Sequence, residues 1–302
     1  MVKQWFPYTK LLLIIGMVVK NKITSFFSTG LFENQTGDVS DAFFLMITPA
    51  GWTFGAIWGT IYMWQFIWMI YALTTVCRKD DDGRYIYRLG ILPPAFYVMF
   101  MVNNIVVVTW LFVWDRQWLN WACLVIVFAP ITLYICLIIS FKRLYDNLAS
   151  LRRNGQRKDI WLTRILVQNG LAFFATWVSI ATLLNFAIVL TYYWSVDVFV
   201  SSTIALGVLS LDIIVWFTLD TFFLDKYVRY TISPYIVLVV ALTGSFTKNF
   251  DLDTNRRNSI YIAGLLGVAG VLLLVKLVLV AYGHRKYPIT GDMTDDVKGV
   301  LA

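Results

Sequence analysis

Apolar residues run along this chain in eight long blocks, and the short segments between them hold most of its charge. The blocks fall at about residues 6–27, 49–76, 89–113, 118–141, 161–193, 198–224, 231–247 and 259–282. A helix needs roughly 20 apolar residues to cross a hydrocarbon layer of about 30 Å. The pattern therefore predicts an all-α integral membrane protein with eight transmembrane helices. The first block is the weakest: its core, "LLLIIGMVV", is short and is followed by Lys20, Asn21 and Lys22. Pro93, Pro94 and Pro234 sit at helix starts, where a missing N–H costs little. Pro130 lies inside the fourth block and should kink it.

Composition agrees. Of 302 residues, 59% are hydrophobic and 14% charged, against roughly 25% charged in a soluble domain. The net charge of +7 does not point to nucleic acid, because the basic residues lie between apolar blocks rather than on one polar face. The expected partner is the lipid bilayer. Three cysteines and one histidine leave little redox or metal chemistry. Cys123 and Cys136 share one span and Cys77 sits at a helix end, so no disulfide is expected. His284 belongs to a basic tail and reads as a solvated residue.

Lys and Arg resist translocation and so orient the spans. With a cytosolic N-terminus, 18 basic residues fall on the cytosolic side and 6 on the other. Eight spans return the C-terminus to the cytosol. The sequon Asn34-Gln35-Thr36 then lies in the first external loop, which fits glycosylation at Asn34 and a plasma or secretory-pathway membrane. The basic loop 142–164 reads first as a topology determinant, and second as a contact for anionic headgroups.

Polar and small residues inside the spans raise the question of function. "ITPAGWTFGAIWGTIY" (47–62) carries Gly51, Gly55 and Gly59 at four-residue spacing, flanked by Trp52, Phe54 and Trp58. Small residues let helices approach closely in lipid, so the glycines are expected to seat a neighbouring helix. Trp5, Trp118 and Trp194 suit the membrane interface; Trp58 and Trp64 lie too deep for that. The third span holds Asn103, Asn104, Trp110 and Trp114. An amide in hydrocarbon needs a partner, either another helix or a ligand. In the fifth, Trp177, Ala181 and Asn185 recur on one face beside Gln168, Ala172, Thr176, Ser179 and Thr182. Asp212, Asp220 and Lys276 are ionisable groups within spans. Asp220 and Lys276 fall at similar depth and are placed to pair. The alternatives for these three are an ion or proton site and a buried, satisfied set.

These residues resemble a known family. "TPAGWTFGAIWGTIY" is similar to the opening of the second helix of the TspO/peripheral benzodiazepine receptor family, the tryptophan-rich sensory proteins. "ATWVSIATLLNFAIVL" is similar to that family's fifth helix, and "NQTGDVSDAFFLMITPAG" to a loop of its extended eight-helix relatives. The resemblance implies a TspO-like five-helix bundle over 1–194, three additional transmembrane helices over 195–284 and a cytosolic tail over 285–302. It also implies a homodimer, and an apolar pocket that takes porphyrin or heme, a sterol or an aromatic small molecule. Trp58, Trp177, Ala181 and Asn185 match pocket positions, and Trp52 and Phe54 match its cover. In the third helix Val107 stands where relatives commonly place an Asn, and Asn103 lies one turn earlier. The outer mitochondrial membrane is the location the family adds as an alternative.

The expected function is a non-enzymatic receptor or transporter-like protein that requires no cofactor. A flat hydrophobic small molecule would stack on Trp52, Trp58 and Trp177, oriented by Asn185 or Asn104, with Phe54, Asn103, Trp110 and Ala181 as further candidate ligand-binding residues. The alternative is an ion- or proton-coupled transporter or channel using Asp212, Asp220 and Lys276. No metal-ligand cluster, nucleophile elbow or phosphate-binding glycine loop suggests an enzyme.

Overall fold

The computed structural model of the protein describes residues 34 and 36–289. Helices form on the apolar blocks because backbone polar groups in hydrocarbon must be satisfied within the segment. In chain order they are α1 (Thr36–Ala42), α2 (Gly51–Cys77), α3 (Pro94–Asp115), α4 (Leu119–Arg153), α5 (Arg157–Tyr192), α6 (Val198–Phe223), α7 (Asp225–Val228), α8 (Ser233–Asn249) and α9 (Arg256–Lys286). No strand occurs among the described residues.

Six of these helices, α2 to α6 and α9, are long and apolar enough to cross a membrane. The other two expected spans fare differently. Residues 6–27 lie outside the described residues. The seventh block forms α8, whose 17 residues span about 25 Å at roughly 1.5 Å per residue. That is short of a hydrocarbon core of about 30 Å.

Helix α5 is the hub. It packs against α2, α4, α6 and α8, while α3 packs on α4 and α8 on α9. It is the most buried span, with 67% of its most apolar window covered. Gly170 makes part of this possible: a Cβ there would sit 2.8 Å from Trp64 Cδ1 of α2.

The expected proline effects are visible. Pro94 and Pro234 lie in the first turns of α3 and α8. Helix α4 is interrupted at Val127, between Leu119–Ile126 and Phe128–Arg153. Pro130 has no N–H for the Ile126 carbonyl. Thr182 of α5 reaches across instead, its hydroxyl 3.4 Å from that oxygen. Two further irregularities are π-turns at Thr163–Gln168 in α5 and Leu219–Phe223 in α6.

The glycine stripe of α2 does not behave as expected. Gly51, Gly55 and Gly59 are exposed, and no atom of the described residues lies within 4 Å of a Cβ built on any of them. The close approach comes from the other partner. A Cβ on Gly244 of α8 would fall 1.9 Å from Thr53 Oγ1 and 2.9 Å from Thr53 Cβ. The spacing marked a smooth face on α2, but the helix turns its Thr53–Ile57–Ile61–Gln65 edge inward.

Candidate functional site

The aromatic residues singled out by sequence meet along the α2–α5 seam. Phe54 sets its ring edge-on to Trp177, with centroids 5.4 Å apart. Trp58 stacks on Tyr62 at 5.6 Å and meets Phe174 edge-on at 5.9 Å. Such offset and T-shaped contacts suit the ring quadrupole. Trp177 is fully buried, Phe54 and Trp58 are half-buried, and Trp52 is 52% exposed. Beside Trp52, Phe54 and Trp58 runs the exposed glycine stripe. This leaves a smooth, ring-edged trough on α2 with no described side chain over the glycines.

The amides resolve into helix contacts. Trp110 Nε1 donates to Asn185 Oδ1 at 3.2 Å, joining α3 to α5, and Asn185 Nδ2 donates back to Ala181 O at 2.8 Å. Trp110 also stacks on Trp114. Asn103 is fully buried, and its Nδ2 donates to Ala129 O at 2.9 Å and to Thr132 Oγ1 at 3.0 Å, beside the break in α4. Its Oδ1 has no hydrogen-bond partner. Asn104 Nδ2 donates to Phe100 O of its own helix. Asn103 thus ties α3 to α4, while this Asn104 bond stays within α3.

The ionisable trio separates. Lys276 Nζ lies 2.6 Å from Asp220 Oδ1, and Tyr235 donates its hydroxyl to Asp220 Oδ2 at 2.6 Å. Lys276 and Asp220 are both buried, so α6, α8 and α9 share one interior ion pair with a phenol attached. The π-turn at Leu219–Phe223 holds Asp220 at this junction. Asp212 is elsewhere, exposed on the outer side of α6 with no hydrogen-bond or ion-pair partner among the described residues.

Several structural polar residues were missed. Buried Asp159 binds Arg78 through both oxygens, at 2.6 and 3.1 Å, and accepts from Tyr71 at 3.0 Å. The bond to Asp159 holds the Arg78 proton more firmly than usual. Asn169 accepts from the first N–H groups of α8, at Ile232 and Ser233, and donates to Tyr230 O. Gln65 donates to Gly170 O and accepts from Trp68 Nε1. At the opposite end, Ser245, Asn249 and Asn255 donate to the carbonyls of Ile47, Thr48 and Met46, tying the segment before α2 over α8. The one available signal was polarity within or beside an apolar helix, which names no partner.

Asn34 is also engaged. Its Nδ2, the atom a glycan would occupy, donates to Asp115 O at 3.0 Å. A narrow apolar crevice lies between α5, α6 and α8, with Ile180, Leu184, Ala205, Leu209 and Leu242 among its walls. None of the expected ligand residues lines it. Among the described residues no His, Cys, Asp or Glu cluster is arranged to hold a metal.

Compared with protein families, residues 5–278 match the model described as TSPO-like protein. No curated protein and no solved structure matches the chain.

Proposed function

The chain belongs to the TSPO-like protein family, and from that premise we propose that it is a non-enzymatic receptor or transporter-like protein for a flat hydrophobic ligand. It is a multi-pass integral membrane protein. The ligand class is a porphyrin, a sterol or an aromatic small molecule. One observation carries the reading: the α2–α5 seam combines exposed Trp52, half-buried Phe54 and Trp58, buried Trp177 and a glycine stripe with no described residue over it. Glycine steps let a planar molecule approach the backbone, and ring edges grip it through its π-face. Ala181 and Asn185 lie further along α5, and Trp110 holds the Asn185 oxygen. In this proposal the aromatic seam binds, and the Trp110–Asn185 bond keeps α3 and α5 in register beside it. No cofactor is required.

The test is equilibrium quenching of tryptophan fluorescence by protoporphyrin and by a quencher-labelled sterol, in the wild type and in Trp58→Phe. Saturable quenching weakened by the substitution supports the reading. Linear quenching that ignores it means partitioning into the bilayer, and refutes binding at this seam.

A second reading rests on the buried Tyr235–Asp220–Lys276 set, which supports proton or ion coupling through the last helices. Intramembrane ionisable groups commonly mark such paths. Proton flux in proteoliposomes that Asp220→Asn leaves unchanged would sink it. Basic residues support cytosolic termini and a plasma or secretory-pathway membrane, with the outer mitochondrial membrane as the alternative. A homodimer belongs to the same proposal. Glycosylation of Asn34 would have to displace its bond to Asp115.

A further inference from the structure

Asp212 is an exposed carboxylate at membrane depth. It lies near the middle of α6, a span of 26 residues, and faces outward among Leu211, Ile214 and Val215. On insertion scales a carboxylate at mid-membrane costs about 2.5–3.5 kcal/mol. Asp220 avoids this cost through Lys276 and Tyr235. Asp212 has no such partner.

Its surroundings form a groove. Helices α4 and α6 both pack on α5, and the helical body of α6 shares no extensive packed face with α4. Between them α5 shows a half-buried row, Thr176, Ser179, Leu183 and Phe186, at three- and four-residue spacing. From α4, Tyr134 leans over this floor, with its hydroxyl 3.1 Å from Ser179 Oγ. Asp212 is near enough for its charge to act on the Tyr134 hydroxyl. The gap between α4 and α6 thus has apolar sides and opens outward at membrane depth, with the Tyr134 and Ser179 hydroxyls on its α4–α5 side and the Asp212 carboxylate on α6.

We propose that this lateral groove binds a lipophilic cation, an apolar body carrying a protonated amine, with Asp212 as its counter-ion and Tyr134 and Ser179 as hydroxyl partners. Charge complementarity sets the class. A neutral sterol or alcohol would leave the carboxylate uncompensated. Among the described residues a second copy offers no free lysine at this depth, because Lys276 is buried and already paired with Asp220. A small amine brings its charge and its apolar cover together. The site is separate from the α2–α5 seam and shares none of its residues.

The experiment uses the full chain in phosphatidylcholine nanodiscs, with empty discs as background. Two photoreactive probes share one diazirine-bearing hexadecyl chain; one ends in a dimethylamine and the other in a hydroxyl. Labelled peptides are identified by mass spectrometry. Saturable labelling of α4 and α6 by the amine, weakened about tenfold or more in Asp212→Asn and retained in Asp212→Glu, supports the proposal. Tyr134→Phe should weaken it less. Equal labelling by amine and alcohol overturns it, as does labelling that Asp212→Asn leaves unchanged. A wild-type dimer that becomes monomeric in Asp212→Asn, without amine-selective labelling, also overturns it and assigns the groove to a second copy. If Asp212→Asn fails to fold, the amine–alcohol contrast and Tyr134→Phe decide.

Discussion

Replacing Gly244 with alanine should separate α2 from α8, and the structure sets the size of the effect. The new Cβ would lie 1.9 Å from Thr53 Oγ1, 2.9 Å from Thr53 Cβ and 3.1 Å from Thr53 Cγ2. Rotating the threonine moves its oxygen and methyl but not its Cβ, so the helices themselves must part. The junction is already pinned, since Ala50 N donates to Gly244 O at 3.0 Å. Overpacking of this kind costs about 1–3 kcal/mol, offset by about 0.5–1 kcal/mol of helix preference for alanine over glycine. The expected net loss for Gly244→Ala is about 1 kcal/mol at mid-range and at most about 2.5 kcal/mol. Thr53→Ala alone should be mild, because Thr53 Oγ1 is buried without a hydrogen-bond partner. Together the two substitutions should recover part of the loss, a coupling of about 0.5 kcal/mol or more. Gly55→Ala is the control: it meets no described atom and should be neutral or stabilising. The assay is reversible unfolding in mixed micelles, followed by tryptophan fluorescence. A Gly244→Ala protein as stable as wild type, or a Gly55→Ala protein hit harder, would refute the assignment of the close contact to Gly244 rather than to the α2 stripe.

Three further outcomes are expected. Lys276→Met leaves Asp220 buried beside Tyr235 alone and should cost about 3–5 kcal/mol; adding Asp220→Asn should restore most of it in the same unfolding assay. Asn103→Ala removes two donated bonds to the α4 break and should destabilise by about 1–2 kcal/mol, while protoporphyrin quenching keeps its midpoint; a shifted midpoint would return Asn103 to the ligand site. Asp251, ahead of α9, accepts from Thr254 Oγ1 and from the N–H groups of Asp253 and Thr254, and these bonds hold its carboxyl below the usual range. Its small contribution to stability should be complete above the unfolded aspartate value of about 3.9 and fade as pH falls through the depressed native value. A pH series comparing wild type with Asp251→Asn checks this, and identical acid limbs would contradict it.

Much of the helical layout was legible because hydrocarbon permits few backbone solutions. The block at 49–76 became Gly51–Cys77, and that at 198–224 became Val198–Phe223. The break in α4 could be read from Pro130. The seventh block formed α8, whose 17 residues sit at the lower end of the roughly 17–25 that spans use. Rings could also be placed, because Phe54, Trp58 and Trp177 recur at helical spacing and have few interior surfaces to meet.

What the residues could not disclose was the direction each helix faces and which partner each polar group takes. A glycine stripe and an inward threonine edge lie on the same α2 helix, and spacing alone favours the stripe. The deciding residue, Gly244, is nearly 200 positions away and carries no visible signal of its own. Polarity within a span states a need without naming what meets it. Asn103 meets its need with the carbonyl of a helix broken by a proline, and Asp220 with a lysine and a tyrosine. Asp212 meets it with nothing the described chain supplies. The same rule that finds Asn103 and Asp220 partners within the chain therefore singles out Asp212 as the residue whose partner comes from outside it.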